Sequence, residues 1–292
     1  MRCLESIPVS EDIQVIVVDD NSPGADTYLQ EYPALSRPFL EFIRSDKNGG
    51  GGYARNIGLT RARGKWLLFA DADDFFAKDM HDIISNYYDT DADVVIFRAK
   101  KVHSDNLHLE SDRDAVSDKR LELFIQTGDE WALRFRHYLV WSKLIRRNLV
   151  IENKILFDEV RYSNDCFFSI NVGYYARKIM FDDNVLYWNT FRSGSDTACF
   201  CQKPGELRIR AEVSFRLDQF LLQHDICRER DLTWFLTQML KTDRSLFKYY
   251  FNHKLDEIYP SRIDAIKDIC RGHSLMTRCG IWLYALLIWK RA

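Results

Sequence analysis

The first part of the chain alternates short apolar runs with polar turns and helical segments. Apolar runs at Ile13–Val18 and Trp66–Ala70 end abruptly in aspartates, and Asp93–Phe97 is a third such run. Nearly continuous apolar runs are typical of parallel strands that are buried on both faces. Helical segments are predicted at Gly49–Ala62 and Lys78–Tyr88, between these strands. The pattern therefore predicts βαβ units with a ligand site at the carboxyl ends of the strands.

The last third of the chain has a different, helical character. Apolar side chains from Leu232 to Tyr250 recur at helical spacing and predict helices packed on a core. Residues 103–120 are polar and charged, and are predicted to form a surface connection. The expected domains are residues 1–200, with halves at about 1–100 and 101–200, followed by a helical extension at 201–292.

Composition limits the classes of protein to be considered. The chain has 292 residues, of which 46% are hydrophobic and 29% charged, as expected of a folded globular protein. A net charge of −2 argues against binding to nucleic acid through a basic surface. The seven cysteines include no CxxC pair, so we expect reduced thiols in a cytoplasmic protein. Since no apolar run reaches about 20 residues, we expect a soluble protein or one peripheral on the inner face of the membrane.

The strongest candidate site is the acidic motif Asp71-Ala72-Asp73-Asp74, directly after the second apolar run. Two carboxylates two residues apart, just beyond a buried strand, can be directed at one cavity. Mg²⁺ and Mn²⁺ prefer such oxygen ligands, and phosphate groups commonly complete their coordination. Asp71 and Asp73 are therefore candidate ligands of a divalent cation that binds a diphosphate. The alternative is a turn whose aspartates cap the following helix.

A second polar group follows the first strand and offers hydrogen-bond acceptors for a base or ribose. It consists of Asp19, Asp20 and Asn21. The glycine run Gly49–Gly52 would let the backbone approach a phosphate, with Arg55 as a cationic clamp. A turn with helix-capping aspartates, and a plain surface charge for Arg55, remain the alternatives.

Residues of the middle segment are candidates for the acceptor side of a reaction. Asp165 lies at the start of a predicted helix, either as a capping residue or as a general base that accepts the proton of an attacking hydroxyl. Trp141, Lys143 and the stretch Tyr187–Ser195 supply aromatic and polar groups suited to a sugar face. Ordinary packing is the alternative for these residues.

The C-terminal end carries an apolar run beside cations. Ile281–Trp289 contains two tryptophans and a tyrosine, and Lys290 and Arg291 follow it. Aromatic side chains next to cations are typical of a membrane interface, which indicates a peripheral membrane contact through residues 281–291. The alternative is a final helix packed on the core.

Taken together and in order, these segments resemble the family 2 glycosyltransferases, which have the GT-A fold. The matching segments are IQVIVVDDNSPG, GGGYARNIGLTRARGKWLLFADADDFF, DADVVIF, WSKLIRRNLV and FDEVRYSNDCFF, within roughly residues 1–195. The resemblance implies an α/β, Rossmann-like, mostly parallel sheet flanked by helices, here with a helical C-terminal extension. It implies an inverting enzyme that transfers a sugar from a metal-bound, UDP-linked nucleotide sugar to a hydroxyl of a glycan or lipid-linked acceptor in cell-surface polysaccharide synthesis.

The resemblance also implies roles for individual residues. Asp20 would contact the base, Asp71 the ribose and diphosphate, Asp73 the metal, and Asp165 would be the catalytic base. The family's first strand has no counterpart in this sequence, whose first residues already resemble the helix that follows that strand. A truncated chain, a start placed too late and real loss of the strand are the three explanations. The alternatives are a catalytically impaired sugar-nucleotide-binding protein that lacks the first core strand, and an interaction module whose aspartates only cap helices.

Overall fold

The computed structural model describes residues 2–24, 27, 31–111, 115–192, 205–271 and 273–289. The chain divides into two compact units, Met1–Cys199 and Phe200–Ala292. In the described residues, the first unit contains both strands and helices, and the second contains helices. The alternation of apolar runs and helical segments in the first part, and the helical spacing in the last third, thus correspond to two separate cores.

The first unit is built on two β-sheets. Its strands are β1 (Val15–Asp19), β2 (Leu40–Arg44), β3 (Trp66–Leu67), β4 (Phe75–Phe76), β5 (Val94–His103), β6 (Lys143–Arg146) and β7 (Ile179–Phe191). β1 and β2 form a parallel two-stranded sheet, and the others form a five-stranded sheet in the order β3-β6-β5-β7-β4. Strands β3, β5 and β7 share one direction, whereas β4 and β6 run antiparallel to their neighbours. The predicted α/β architecture is confirmed, but the large sheet is mixed rather than mostly parallel, because three of its four pairings in the described residues are antiparallel.

Short helices surround these sheets. They are α1 (Arg2–Ser6), α2 (Gly50–Arg61), α3 (Met80–Ser85), α4 (Ala115–Thr127), α5 (Trp131–Phe135), α6 (Arg147–Glu152) and α7 (Cys166–Tyr175). Residues 103–120, predicted to form a surface connection, include the start of α4 at residues 115–120, and residues 117–120 lie at the surface. Leu121, the next residue of α4, is buried in the core.

The central strand β5 divides the core of the first unit into two layers. Val94 and Ile96 join one cluster, which includes residues of α2 and α7. Val95 and Phe97 join a second cluster, which includes residues of β4 and α3. Successive side chains of a strand point to opposite faces, so this unbroken apolar run is buried on both sides. The sheet therefore carries helices on both faces, and its polar loops are left at the strand ends.

The second unit is a bundle of helices around its own core. The described helices are α8 (Glu206–Gln223), α9 (Leu232–Thr242), α10 (Arg244–His253), α11 (Arg262–Cys270) and α12 (Leu275–Trp289). The predicted apolar stripe is buried along α9 and α10, as shown by Leu236, Met239 and Phe247, each at 0% exposure. Side chains close two helix starts: Asp243 accepts from the Leu246 amide, and Ser261 accepts from that of Asp264.

Some predicted features lie outside the described residues. These are Ser193–Ser195 and the cations Lys290 and Arg291. Among the described helices, none combines the length and apolar character that a membrane-spanning segment needs.

Candidate functional site

The loop after β1 holds the start of α2. The Asp20 carboxylate accepts hydrogen bonds from the backbone N–H groups of Gly49, at 2.9 Å, and Gly50, at 2.7 Å. These amides at a helix start have no partner within the helix, so a carboxylate there satisfies them and interacts favourably with the helix dipole. The structure thus shows Asp20 in a helix-capping role, and its contact with a nucleotide base stays a prediction.

The neighbours of Asp20 shape the turn at the end of β1. Asp19 accepts a hydrogen bond from the Ser22 amide at 3.0 Å, and its carboxylate lies 3.9 Å from Nε of Arg44. Asn21 has a φ of 56°, a left-handed conformation that asparagine adopts more readily than most residues. These contacts fit the turn alternative, and a nucleotide-binding role for Asp19 and Asn21 stays a prediction.

The glycine run brings α2 close to the loop that precedes α7. A Cβ atom on Gly52 would lie 2.0 Å from the carbonyl oxygen of Asp158, so only glycine permits this approach. Asn56, one turn later, donates to the carbonyl oxygen of Phe157 at 3.0 Å and accepts from its amide at 2.9 Å. The packing of α2 against this loop therefore accounts for Gly52 and places the next residues of the helix beside the start of α7.

Arg55 of α2 connects the two acidic segments. Its guanidinium donates to Oδ1 of Asp71 at 2.7 Å and to Oδ1 of Asn164 at 2.8 Å. The same group lies over the ring of Phe157, 5.5 Å from the centroid. Charge-assisted hydrogen bonds from a planar guanidinium fix geometry as well as adding stability. Arg55 therefore joins the acidic motif to Asn164, the residue immediately before Asp165.

The acidic motif follows β3 in the chain, and its three aspartates differ in their contacts and in their burial. The Asp71 amide donates to the Tyr187 hydroxyl at 2.8 Å, which fixes the backbone of the motif on β7. The carbonyl oxygen of Asp73 accepts from Arg2 at 3.2 Å and from the Thr190 hydroxyl at 2.9 Å. The Asp73 side chain is exposed, and its carboxylate has no hydrogen-bond or ion-pair partner among the described residues. The backbone of Asp73 is therefore held in place, while its carboxylate is exposed to solvent.

Asp74 has a structural role that the sequence did not reveal. Its side chain is buried, at 1% exposure, and accepts from the Asn189 side chain at 2.7 Å and the Thr190 amide at 2.6 Å. Burial raises the pKa of Asp74 to about 6, although these two hydrogen bonds act in the opposite direction. The only signal in the sequence was the polar pair Asn189-Thr190 inside an aromatic stretch.

Asp165 is at the N-cap position of α7, yet its side chain makes no capping hydrogen bond. The capping alternative is therefore not supported by the geometry. Burial raises the pKa of Asp165, Arg55 and Lys143 lower it, and the negative charge of Asp71 raises it further. Asp165 is thus a half-buried carboxylate within electrostatic reach of the acidic motif. A raised pKa makes it a better proton acceptor than an ordinary aspartate.

Trp141 and Lys143 lie in the interior, on the approach to β6 and within it. Trp141 is 5% exposed and stacks on Tyr187, with ring centroids 5.2 Å apart. Lys143 is buried and donates to the carbonyl oxygen of His137 at 2.6 Å. Burial lowers the pKa of Lys143 to about 7, and Asp165 opposes this shift. The burial and stacking of Trp141 favour the packing alternative for that residue. Lys143 lies within electrostatic reach of Asp165. A contact of either residue with the acceptor stays a prediction.

The structural comparison identifies the fold. Residues 1–349 of TarS from Staphylococcus aureus, in complex with UDP-GlcNAc, match with a TM-score of 0.52 and 22% sequence identity. The match covers 89% of this chain and 72% of the TarS chain. This similarity shows a shared fold, and it is the GT-A fold expected from the sequence.

The sequence comparisons identify the family. The chain matches glycosyl transferase family 2 over residues 2–153, more than half of its length. EpsH of Bacillus subtilis is 27% identical over 252 residues, which cover 77% of this chain and 71% of EpsH. The cholesterol galactosyltransferase of Borreliella burgdorferi is 27% identical over 197 residues, 63% of this chain and 54% of that protein. The chain therefore belongs to glycosyl transferase family 2 and is a glycosyltransferase.

Proposed function

We propose that the protein transfers a sugar, with inversion, from a UDP-linked donor to a hydroxyl of a glycan or lipid-linked acceptor in cell-surface polysaccharide synthesis. The observation that carries this proposal is the Arg55 bridge, which joins Asp71 of the acidic motif to the residue before Asp165. The bridge brings a candidate donor-binding segment and a candidate base to one site. We place the reaction in the cytoplasm or at the inner face of the membrane.

The acidic motif suits a divalent cation that is shared with the donor. The described residues contain no group of three or more His, Cys, Asp or Glu side chains that could hold a metal by themselves. Mg²⁺ is usually bound by one or two carboxylates together with substrate phosphates, so a complete protein cage is not required. Asp73, with Asp71 beside it, would hold Mg²⁺ or Mn²⁺ in this way. When bound, the cation supplies positive charge that neutralises the departing diphosphate.

Asp165 and Arg55 supply the remaining groups that transfer requires. The acceptor oxygen would attack the anomeric carbon while its proton moves to the Asp165 carboxylate. The bond between that carbon and the diphosphate breaks on the opposite face, and the nucleoside diphosphate leaves with the electron pair. The positively charged guanidinium of Arg55 would lie near the diphosphate, and its hydrogen bond to Asp71 would keep that carboxylate in place. Asp19, Asp20 and Asn21 would contact the nucleoside.

The test is donor binding and turnover with and without a divalent cation. UDP binding is measured by calorimetry, and UDP release from UDP-GlcNAc and other UDP-sugars is measured with Mn²⁺ or Mg²⁺. Asp73→Asn should weaken cation-dependent UDP binding at least tenfold and leave the melting temperature unchanged, because the carboxylate is exposed and unpaired within the described residues. Asp79→Asn, another exposed aspartate a few residues later, is the matched control.

The outcomes separate the proposed enzyme from its alternatives. Cation-dependent release of UDP that requires Asp73 supports the transferase. Cation-dependent binding without release of UDP from any UDP-sugar would favour a catalytically impaired sugar-nucleotide-binding protein. Absence of both binding and release would contradict the proposal.

A further inference from the structure

The last helix of the second unit, α12, has two opposite apolar faces. Ile281, Ala285 and Ile288 are buried in the core of the unit. The other face is exposed to solvent and consists of Leu275, Met276, Cys279, Leu283, Leu286 and Leu287. At about 100° per residue, these six positions fall within roughly a third of the helix circumference. They form one continuous surface, here called the outer face of α12.

The outer face is unusual for a protein surface. Met276 is 87% exposed and Leu287 is 61% exposed, although both side chains are large and apolar. Continuous apolar patches on a soluble protein commonly mark an interaction site. The two tryptophans of this segment are less exposed than the leucines, so the predicted interfacial role passes to the leucines of the outer face.

A cationic pocket lies along one flank of α12. It has a volume of about 300 Å³ and is lined by Thr237, Leu240, Lys241, Arg244, His273, Thr277, Gly280, Ile281 and Tyr284. The guanidinium of Arg244 lies 5.3 Å from the ring centroid of Tyr284, whose hydroxyl donates to the Arg244 carbonyl oxygen at 3.3 Å. The lining contains two cationic side chains, an imidazole and three hydroxyls, and no carboxylate. These groups suit a phosphate.

The sequence segment that contains α12 is free of acidic residues. No aspartate or glutamate occurs from Arg271 to Trp289, whereas this segment contains Arg278 and also Arg271, which pairs with Asp268 at 2.9 Å. The nearest acid in sequence to the pocket residues of α9 and α10, Asp243, caps α10 by accepting from the Leu246 amide. The pocket and the outer face therefore combine positive charge with apolar surface along one helix.

We propose that α12 binds the surface of a bilayer that contains anionic phospholipid. Its outer face would lie at the boundary between headgroups and acyl chains, and the cationic pocket would receive a lipid phosphate. An apolar helix face flanked by cations is the combination that binds such surfaces, with each basic side chain adding to the attraction. Because Ile281, Ala285 and Ile288 on the opposite face are packed in the core of the unit, the helix would lie along the bilayer surface and insert only its outer face. This inference does not depend on the proposed catalytic activity.

The first experiment measures flotation of the full chain with vesicles. Vesicles of phosphatidylglycerol and phosphatidylcholine should carry the protein, and vesicles of phosphatidylcholine alone should carry much less. The double variant Leu283→Glu/Leu287→Glu should reduce partition into the anionic vesicles about tenfold or more, because it places charge in the apolar layer. Leu156→Glu is the matched control, since Leu156 is a leucine of the first unit that is 60% exposed.

The second experiment tests the cationic pocket. Lys241→Gln should weaken partition about fivefold, the factor that corresponds to about 1 kcal/mol for one basic side chain at an anionic surface. Lys248→Gln removes an exposed lysine of α10 that does not line the pocket, and should have a smaller effect. Raising the salt concentration to about 0.5 M should reduce the difference between wild type and Lys241→Gln, because electrostatic attraction is then screened.

The third experiment uses a group already present on the outer face and needs no disruptive variant. A polarity-sensitive dye on Cys279, which is exposed, should shift its emission to the blue when anionic vesicles are added. The labelled Cys279→Ser variant corrects for dye on other cysteines. Absence of flotation, or flotation unaffected by the double variant and by Lys241→Gln, would overturn the proposal. A stable dimer in solution that the double variant dissociates would also overturn it, in favour of self-association.

Discussion

Replacing Asp165 by asparagine tests the proposed base while preserving the surrounding helix. Asp165 occupies the N-cap position of α7, but its side chain makes no hydrogen bond to the first-turn amides. Asparagine has nearly the same size and is an equally good N-cap residue. The substitution therefore removes a proton acceptor and a negative charge without removing a capping hydrogen bond.

The stability of the variant can be estimated from two opposing effects. Loss of a negative charge at a helix N-terminus costs about 0.3–1 kcal/mol. Burial raises the pKa of Asp165 above its value in the unfolded chain, so the ionised form is disfavoured by folding. The contribution of Asp165 to stability therefore falls as the pH rises through the folded-state pKa, and a neutral asparagine avoids this cost. At neutral pH the net change should be below about 1 kcal/mol, and of either sign.

The effect on transfer should be much larger. General-base catalysis contributes about 10²–10⁴-fold to the rate, so kcat should fall by this factor while donor affinity is unchanged. The wild-type rate should also rise with pH as Asp165 loses its proton, at a pH above the ordinary range of an aspartate. This dependence should be absent from the residual activity of the variant.

The measurements are UDP release at saturating donor and acceptor, UDP affinity by calorimetry, and the melting temperature. Asp79→Asn is the matched control, because Asp79 occupies the N-cap position of α3, also without a side-chain capping hydrogen bond. It should leave all three quantities near their wild-type values. A folded Asp165→Asn protein with near-normal transfer, or with the wild-type pH dependence, would refute the assignment of the base.

Three further predictions follow from the contacts of the site. Arg55→Lys should weaken UDP binding about tenfold by calorimetry, since lysine cannot reproduce the two-armed contact of the guanidinium; unchanged affinity would contradict its role. Asp74→Ala should cost about 2–5 kcal/mol in urea denaturation, because two buried donors lose their acceptor, and a loss below about 1 kcal/mol would count against this. Gly52→Ala should destabilise by about 2 kcal/mol or more, whereas Gly58→Ala in the same helix, where a Cβ has room, should be neutral or slightly stabilising; similar effects would disprove the close-approach argument.

The strands and helices that sequence reasoning located best are those with a strong local pattern. The Ile13–Val18 run contains most of β1, and the Asp93–Phe97 run contains the first part of β5. The continuation of β5 to His103 was missed because the second half of this strand is mostly polar. These residues form a strand by pairing with β7. The start of α4 was missed for a similar reason: Leu121, a buried residue of this helix, lies among charged residues.

At the site, sequence reasoning identified the residue types but not the different roles that tertiary contacts give to individual residues. The acidic motif predicted carboxylates at a strand end, yet only contacts with β7 distinguish the buried Asp74 from the exposed Asp73. The glycine run predicted a close backbone approach, but the approaching group, the Asp158 carbonyl, is more than a hundred residues away in the chain. Such partners depend on the fold and leave no local pattern.

The separation of the two sheets has a consequence for how the first unit opens. In the described residues β1 pairs only with β2, and each is five residues long, whereas β5 and β7 are ten and thirteen residues long and pair with each other at ten positions. Proteins open locally in cooperative segments whose free energies range from near zero to that of global unfolding. The β1–β2 pair should therefore exchange its amide hydrogens through an opening smaller than unfolding of the large sheet. The hydrogen bonds from Gly49 and Gly50 to Asp20 oppose that opening. The loop proposed to meet the nucleoside follows β1 directly, so it belongs to the part of the domain that is expected to open first.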